Sequence, residues 1–121
     1  MEDILVTKQE TKVISTSKIF QILTFYFPEY IKRRRKLKMK SRVLQEDSPE
    51  TKELKSKDKE ELRETRSLKG FNINSAIFIY GEKIALIKLV EKEPIGIILT
   101  DKTLAKDQSA IFEVLWKAAK E

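Results

Sequence analysis

The first half of the chain shows three distinct patterns of apolar and polar residues. Residues 4–14 alternate loosely between the two, which predicts a first strand. Residues 19–27 are apolar around most of a helical circumference, and such a helix is either buried on several sides or shared with a partner chain. Residues 37–44 alternate regularly, with Leu37, Met39, Ser41 and Val43 on one side and Lys38, Lys40 and Arg42 on the other. This alternation predicts a strand with one exposed, basic face.

The C-terminal half predicts three strands and a closing helix. The strands are expected at residues 73–80, 84–90 and 95–100, and Gly81 allows the positive φ of a tight hairpin. The second and third strands are apolar at consecutive positions, so we expect both to be buried on two faces. Asp101 is expected to cap a helix with one apolar stripe, formed by Leu104, Ile111, Phe112, Leu115, Trp116 and Ala119. Trp116 is interpreted as a core anchor.

The middle of the chain is highly charged. We interpret residues 45–69 as a charged, solvated surface excursion. Ser48 and Pro49 could start a surface helix there, a mobile excursion is the alternative, and a short strand is possible at residues 62–68. The order of elements predicts an α/β or α+β fold, in which helices pack on the faces of a single sheet. The whole chain, residues 1–121, is expected to form one domain.

The formal charge of +6 is concentrated in one part of the chain. Residues 1–31 carry a net charge of −1 and residues 70–121 are neutral, whereas residues 32–69 contain fifteen basic and eight acidic residues. An anionic partner would therefore bind this middle segment. The candidate contacts are Lys32, Arg33, Arg34, Arg35, Lys36, Lys38, Lys40 and Arg42.

Two interpretations of this basic run remain open. It is either a phosphate-contacting patch, for nucleic acid or a phosphorylated small molecule, or a solvated helix end followed by the outer face of an edge strand. The second is favoured, because charge runs usually mark solvated faces and no aromatic residues are interleaved for base stacking. Nucleic acid is therefore a less favoured partner.

The composition restricts the available chemistry. The chain contains no cysteine and no histidine, so it lacks thiolate metal ligands, the usual general base near neutral pH and a Ser-His nucleophile. We identify no catalytic residue, expect no cofactor or metal, and disfavour an enzyme. No stretch reaches the ~20 apolar residues of a membrane helix and the first residues are acidic, so a cytoplasmic protein without a membrane partner is expected.

Several short motifs resemble the C-terminal end of TrmB-type transcriptional regulators of archaea and bacteria. These are YGEK at residues 80–83, EPIG at residues 93–96 and FEVLW at residues 112–116, together with a helix ending in KRR at residues 32–34. The resemblance covers residues 15–120. It implies a phospholipase-D-like α/β sensor domain, which in the family follows a winged helix-turn-helix domain.

The resemblance implies a non-catalytic domain for effector sensing, dimerisation or both. The catalytic motifs of the phospholipase-D fold require histidine, which this chain lacks. A DNA-reading domain has no room before residue 15, so the chain is expected to be an excised or orphaned sensor domain or to act by pairing with full-length relatives. Because residues 19–27 are apolar nearly all round, we expect a homodimer or a heterodimer with a related regulator, and a small-molecule effector that is not identified. The candidate interface residues are Phe20, Leu23 and Phe27. The alternative is a free-standing basic protein that binds nucleic acid through residues 32–42.

Overall fold

The computed structural model of the chain describes residues 10–16, 32–33, 36–71, 73–89 and 94–119. Six strands and two helices lie within these ranges. The strands are β1 (Thr11–Ser15), β2 (Ser41–Glu46), β3 (Arg63–Leu68), β4 (Ser75–Tyr80), β5 (Lys83–Leu89) and β6 (Pro94–Thr100), and the helices are α1 (Pro49–Ser56) and α2 (Lys102–Ala118).

The strands form one mixed sheet in the order β3-β2-β1-β4-β5-β6. β1, β2 and β3 are parallel, and β1 joins them to the antiparallel strands β4, β5 and β6. α2 packs on Ile14 and Leu44, whereas α1 contacts Gln45, which points to the opposite face because side chains alternate along a strand. The predicted single sheet with helices on its faces is confirmed.

The predicted local signals at turns and helix starts are confirmed. Gly81 has a φ of +58° in the hairpin between β4 and β5. The Ser48 hydroxyl accepts a hydrogen bond from the Thr51 N–H of α1, and the Asp101 carboxylate accepts one of 2.9 Å from the Leu104 N–H of α2. Each cap provides an acceptor for an N–H group that has no partner inside its helix.

Residues 45–69 contain the end of β2, α1 and β3. The helix expected at Ser48 and the short strand expected at residues 62–68 are both present. Gln45, Thr51, Arg63 and Thr65 are buried, whereas Lys52, Glu53 and Ser56 of α1 are exposed. Part of this charged stretch therefore lies inside the fold.

The strand predicted at residues 37–44 is wrong in its boundaries and in its exposed face. Lys38 has a φ of +57°, which is incompatible with a strand, and β2 begins only at Ser41. The face expected to be wet carries Leu44, which is fully buried beneath α2. The alternation was correctly recognised, but the helix that covers this face is distant in sequence.

The predicted burial of β6 on two faces is also wrong. Ile95, Ile97, Ile98 and Leu99 are exposed, because β6 lies at the end of the sheet and α2 packs mainly on β1, β4 and β5. For the same reason, only part of the predicted apolar stripe of α2 is buried. Phe112 and Trp116 are buried, whereas Leu104 and Ile111 are about half exposed.

The core beneath α2 combines aromatic rings with arginine side chains. Phe112 and Trp116 stack with ring centroids 5.5 Å apart, against Ile14, Leu44 and Ile79. The guanidinium of Arg42 lies 5.2 Å and 5.3 Å from the two ring centroids, and that of Arg66 lies 4.3 Å from the Trp116 ring. Such stacked cations add electrostatic attraction to the apolar contact.

Glu113 attaches α2 to the sheet through two cations. Its carboxylate accepts a 2.5 Å hydrogen bond from Arg42 Nη2 and lies 3.3 Å from Lys12 Nζ. Arg42 also contacts Glu10 through its Nε. The hydrogen bond from Arg42 lowers the pKa of the Glu113 carboxyl below its ordinary value, against a smaller opposing effect of burial.

We predict that Trp116→Ala lowers the free energy of unfolding by about 3–5 kcal/mol, because it removes a large buried ring and leaves a cavity. Val114→Ala is the matched control, since Val114 is 70% exposed on the same helix. It should change the free energy of unfolding by less than about 0.5 kcal/mol. Urea unfolding measures both. A loss below about 1 kcal/mol for Trp116→Ala would contradict this packing.

We also predict that Glu113 makes stability dependent on acidic pH. Because its pKa is lower in the folded state, its contribution is fully present above the ordinary glutamate value of about 4.3 and is lost as the pH falls through the folded-state pKa. The partly exposed pair contributes less than about 1 kcal/mol. Glu113→Gln should weaken the acid sensitivity of urea unfolding, whereas Asp107→Asn, at an exposed carboxylate of the same helix, should retain it. Equal acid sensitivity in Glu113→Gln and the wild type would refute this role.

Candidate functional site

Four of the eight candidate cations line one pocket. Lys32, Lys36, Lys38 and Lys40 surround a cavity of about 720 Å³, together with Glu60 and Leu62. We call this cavity the lysine pocket. Its lining residues carry a net charge of +3, so it is a concentrated positive site rather than an evenly charged surface.

The other four predicted contacts have different outcomes. Arg33 is exposed and is not among the residues that line the lysine pocket. Arg34 and Arg35 lie outside the described residues. Arg42 is directed under α2 to Glu113 and Glu10, so its guanidinium is already occupied by two carboxylates. Its role as an anion contact stays a prediction.

A reversal of the backbone brings the four lysines together. The Leu37 N–H donates a 2.9 Å hydrogen bond to the Arg33 carbonyl, which is the spacing of an α-helical turn. Lys38 then adopts its left-handed conformation and Met39 is buried. These steps turn the chain from the helical residues that carry Lys32 and Lys36 to Lys40, which immediately precedes β2.

The opposite wall of the pocket comes from the residues before β3. The Leu62 carbonyl accepts a 3.1 Å hydrogen bond from the Ser41 N–H, so the starts of β2 and β3 lie side by side. The pocket is therefore at the amino-terminal edge of the parallel strands. Lys38 and Leu62, with φ of +57° and +54°, are the non-glycine residues of the described chain with positive φ, and both line the pocket. Such backbone conformations persist only where the surrounding structure enforces them, and they cluster at functional sites.

A buried ion pair holds this wall in place. The Arg63 side chain is fully buried and its Nε donates a 2.9 Å hydrogen bond to Asp58 Oδ1. Its Nη2 donates to the Leu54 carbonyl at 3.0 Å and to Glu61 at 3.2 Å. Asp58 also accepts 2.8 Å hydrogen bonds from the N–H and the hydroxyl of Thr65. The loop between α1 and β3, which carries Glu60 and Leu62, is thus fixed at both ends.

Sequence reasoning missed this ion pair. Asp58 and Arg63 belong to a stretch in which most residues are charged, and nothing in their spacing separates a buried pair from solvated neighbours. The available signal was the strand at residues 62–68, since alternation along it places Arg63 and Thr65 on the same face.

A second, smaller cavity of about 300 Å³ adjoins the lysine pocket. The two share Lys40 and Leu62. The smaller cavity has charges of both signs, from residues that include Glu10, Arg42, Asp58, Lys59, Arg63 and Glu64. It is therefore a weaker candidate for anion binding than the lysine pocket.

The lysine pocket is suited to bind anions. Each ammonium group is a compact positive charge with three donors, which fits phosphate or carboxylate oxygens without imposing a planar geometry.

Within the described parts of the chain, no group of three acidic side chains could hold a metal ion. No helix in these parts is long and apolar enough to cross a membrane. The predicted interface residues Phe20, Leu23 and Phe27 lie outside the described residues.

The comparisons with solved structures include one that covers nearly the whole chain. No family model matches the chain, and no curated protein matches it. The fold is similar to that of TrmBL2, an archaeal chromatin protein whose structure shows a novel mode of DNA binding, with a TM-score of 0.65 and 17% sequence identity. The match covers 98% of this chain and 48% of the TrmBL2 chain, so this chain spans about half the length of its relative. The resemblance to TrmB-type regulators is thereby confirmed at the level of the fold.

Proposed function

We propose that this chain is a non-catalytic regulatory domain that senses a small anionic effector in the lysine pocket. The observation that carries the proposal is the convergence of four lysines, from a helical end and from the start of β2, around one cavity. Lysines that served only to keep a strand edge solvated would not be expected to line one cavity.

The size and lining of the pocket favour a small molecule over a nucleic-acid strand. A volume of about 720 Å³ falls within the range of roughly 300–1,000 Å³ typical of small-molecule sites. Surfaces that bind single strands follow the backbone as a groove and offer aromatic rings for stacking, and none of the six described residues that line the pocket is aromatic.

The charges of the pocket indicate the class of effector. The ammonium groups of Lys36, Lys38 and Lys40 favour a ligand with several negative charges, such as a phosphorylated or multiply carboxylated metabolite. Glu60 repels a ligand that is anionic on every side, and its carboxylate accepts a hydrogen bond from a hydroxyl or amino group. A phosphorylated metabolite with a free hydroxyl group satisfies both requirements.

The regulatory part of the proposal rests on the shared fold and on the composition. The chain has the fold of a protein described as an archaeal chromatin protein, and it has neither histidine nor cysteine for catalysis. Regulation then proceeds through a partner, either a second copy or a related regulator that supplies the DNA-reading part. Effector binding alters transcription only if the pocket differs between two states of that assembly.

The second candidate function is direct binding to nucleic-acid phosphates. The supporting observations are the net charge of +7 on residues 32–69 and the DNA binding reported for TrmBL2. In this function the pocket lysines, with the exposed Arg33, contact the backbone of a duplex and release its counterions.

We predict that inorganic tripolyphosphate, used as a probe, binds the chain and that the double variant Lys36→Gln/Lys40→Gln weakens this binding at least about tenfold. A hydrogen bond to a charged group contributes about 1.5–3 kcal/mol, so the loss of two such donors should be large. The matched control is Lys52→Gln/Lys57→Gln, which removes two exposed lysines next to the same loop but outside the pocket. Isothermal titration calorimetry should show less than about a twofold change in the control.

The same variants separate the two functions. A DNA duplex should bind weakly and without sequence preference at physiological salt. The logarithm of its binding constant should fall as the logarithm of the salt concentration rises, with a slope of about −0.9 for each phosphate contacted. Tight duplex binding that tripolyphosphate does not displace, and that Lys36→Gln/Lys40→Gln abolishes, would establish nucleic acid as the ligand. Equal losses in the two double variants would reject the lysine pocket as a specific site.

A further inference from the structure

The end of the sheet opposite the lysine pocket exposes a continuous apolar surface. On β6, Ile95, Ile97 and Leu99 are exposed on the face of the sheet that carries α2, and Ile97 keeps 55% of its area accessible. Leu86 lies beside Ile97 on the neighbouring strand β5, and Leu104 and Ile111 project from α2 above it. We call these six residues the β6 surface.

The composition of β6 contrasts with that of the other edge strand. β3 carries Arg63, Glu64 and Arg66, and charged residues on an edge discourage pairing with another chain. β6 is one residue longer and has no charged residue between Pro94 and Thr100. Within the described chain β6 pairs only with β5, so its outer edge is open to another strand. A long, apolar and unprotected edge is the type that pairs.

α2 forms a wall along this open surface. Glu113 and Ser109 face Lys12 of β1, so the side of the helix about half a turn away faces β5 and β6. Leu104 and Ile111 lie on that side and are half exposed. The sheet and the helix therefore present a two-sided apolar surface that no described element covers.

We infer that the β6 surface binds a second copy of this chain, through antiparallel pairing of β6 with β6 about a twofold axis. Centred on Ile97, this pairing places Ile95 opposite Leu99 of the second copy. Ile98 falls opposite Gly96 of the second copy, where no side chain competes for space. The two sheets become one sheet of twelve strands, and α2 and its symmetry mate lie on the same side of it.

Area and charge both favour an identical partner. The exposed parts of the six side chains amount to on the order of 500 Å² per copy, about two-thirds of the roughly 800 Å² that each partner buries in a standard specific interface, before the backbone of β6 is counted. The half of the chain that contains the β6 surface, residues 70–121, has no net charge, so two copies do not repel each other there. The segment with a net charge of +7 contributes β2 and β3, at the far end of the sheet.

A single strand from another protein would cover less of the β6 surface than a second copy of the chain. It would pair with the backbone of β6, but it would leave Leu104 and Ile111 on α2 uncovered. A second copy supplies its own α2 wall and covers both. This interface is distinct from the one predicted at Phe20, Leu23 and Phe27.

The test is sedimentation velocity on the full chain and two variants. At about 100 µM the wild type should sediment as a dimer, since a dimer with a Kd near 10 µM is mostly associated at that concentration. Ile97→Lys places two like charges at the symmetry axis and should give a monomer with an unchanged circular dichroism spectrum. Leu37→Lys, which introduces the same charge at a similarly exposed residue near the lysine pocket, should remain dimeric. A monomeric wild type, or a fully dimeric Ile97→Lys, would overturn the inference.

A cysteine variant keeps the test decisive if Ile97→Lys does not fold. The chain has no cysteine, so Ile97→Cys introduces a single thiol. Directly opposed residues of an antiparallel pair have Cα atoms about 4.5–5.5 Å apart, which is within the range of a disulfide. Mild oxidation should link Ile97→Cys into a covalent dimer and leave Leu37→Cys mostly monomeric on a non-reducing gel. Equal linkage in both variants, or no linkage in Ile97→Cys, would contradict the twofold pairing.

Discussion

The buried ion pair between Arg63 and Asp58 is the constraint on which the candidate site depends. A guanidinium without solvent contact is tolerated only where its charge is paired. Asp58 and Glu61 pair the charge of Arg63, and the Leu54 carbonyl accepts a hydrogen bond from its Nη2. These contacts tie the end of α1 to the start of β3. The start of β3 then aligns with the start of β2 through the hydrogen bond from Ser41 to Leu62. Loss of Asp58 would leave the buried guanidinium with Glu61 as its remaining carboxylate partner, so breaking the pair should cost up to roughly 3–5 kcal/mol.

The two ends of the sheet have opposite character, and each suits a different kind of partner. The parallel end carries the excess positive charge and the lysine pocket, so it attracts anions. The antiparallel end is neutral and exposes isoleucine and leucine on an unprotected edge. α2 spans the centre, held by Phe112, Trp116 and the pairing of Glu113 with Arg42. In the inferred dimer the two pockets lie at the outer ends of the joined sheet, where their charges are far apart.

Local signals in the sequence were sufficient to predict the helices and strands but not to predict which of their faces are buried. The C-terminal strands, the Ser48 and Asp101 caps and the anchoring role of Trp116 were predicted, because each depends on a few neighbouring residues. The face of β2 that carries Arg42 and Leu44 was predicted to be exposed and β6 to be buried, and both predictions are wrong. Whether a strand face meets water depends on α2 and on strand order, which are set by contacts distant in sequence.

The candidate site was predicted as a list of cations but not as a pocket. Lysines at residues 32–40 were recognisable from their density, yet their convergence depends on the left-handed backbone of Lys38. A lysine gives no local signal for that conformation, which glycine or asparagine adopts more readily. The supporting pair of Asp58 and Arg63 was missed for a related reason, because a buried aspartate or arginine cannot be distinguished from an exposed one in the sequence.

The most direct test of the lysine pocket as the sensing site is a crystal structure of the chain bound to tripolyphosphate. We expect phosphoryl oxygens within about 2.7–2.9 Å of the ammonium groups of Lys36, Lys38 and Lys40, with Lys38 and Leu62 retaining their positive φ. An anion bound only to lysines of α1, or to Arg42 released from Glu113, would contradict the assignment of the lysine pocket as the sensing site.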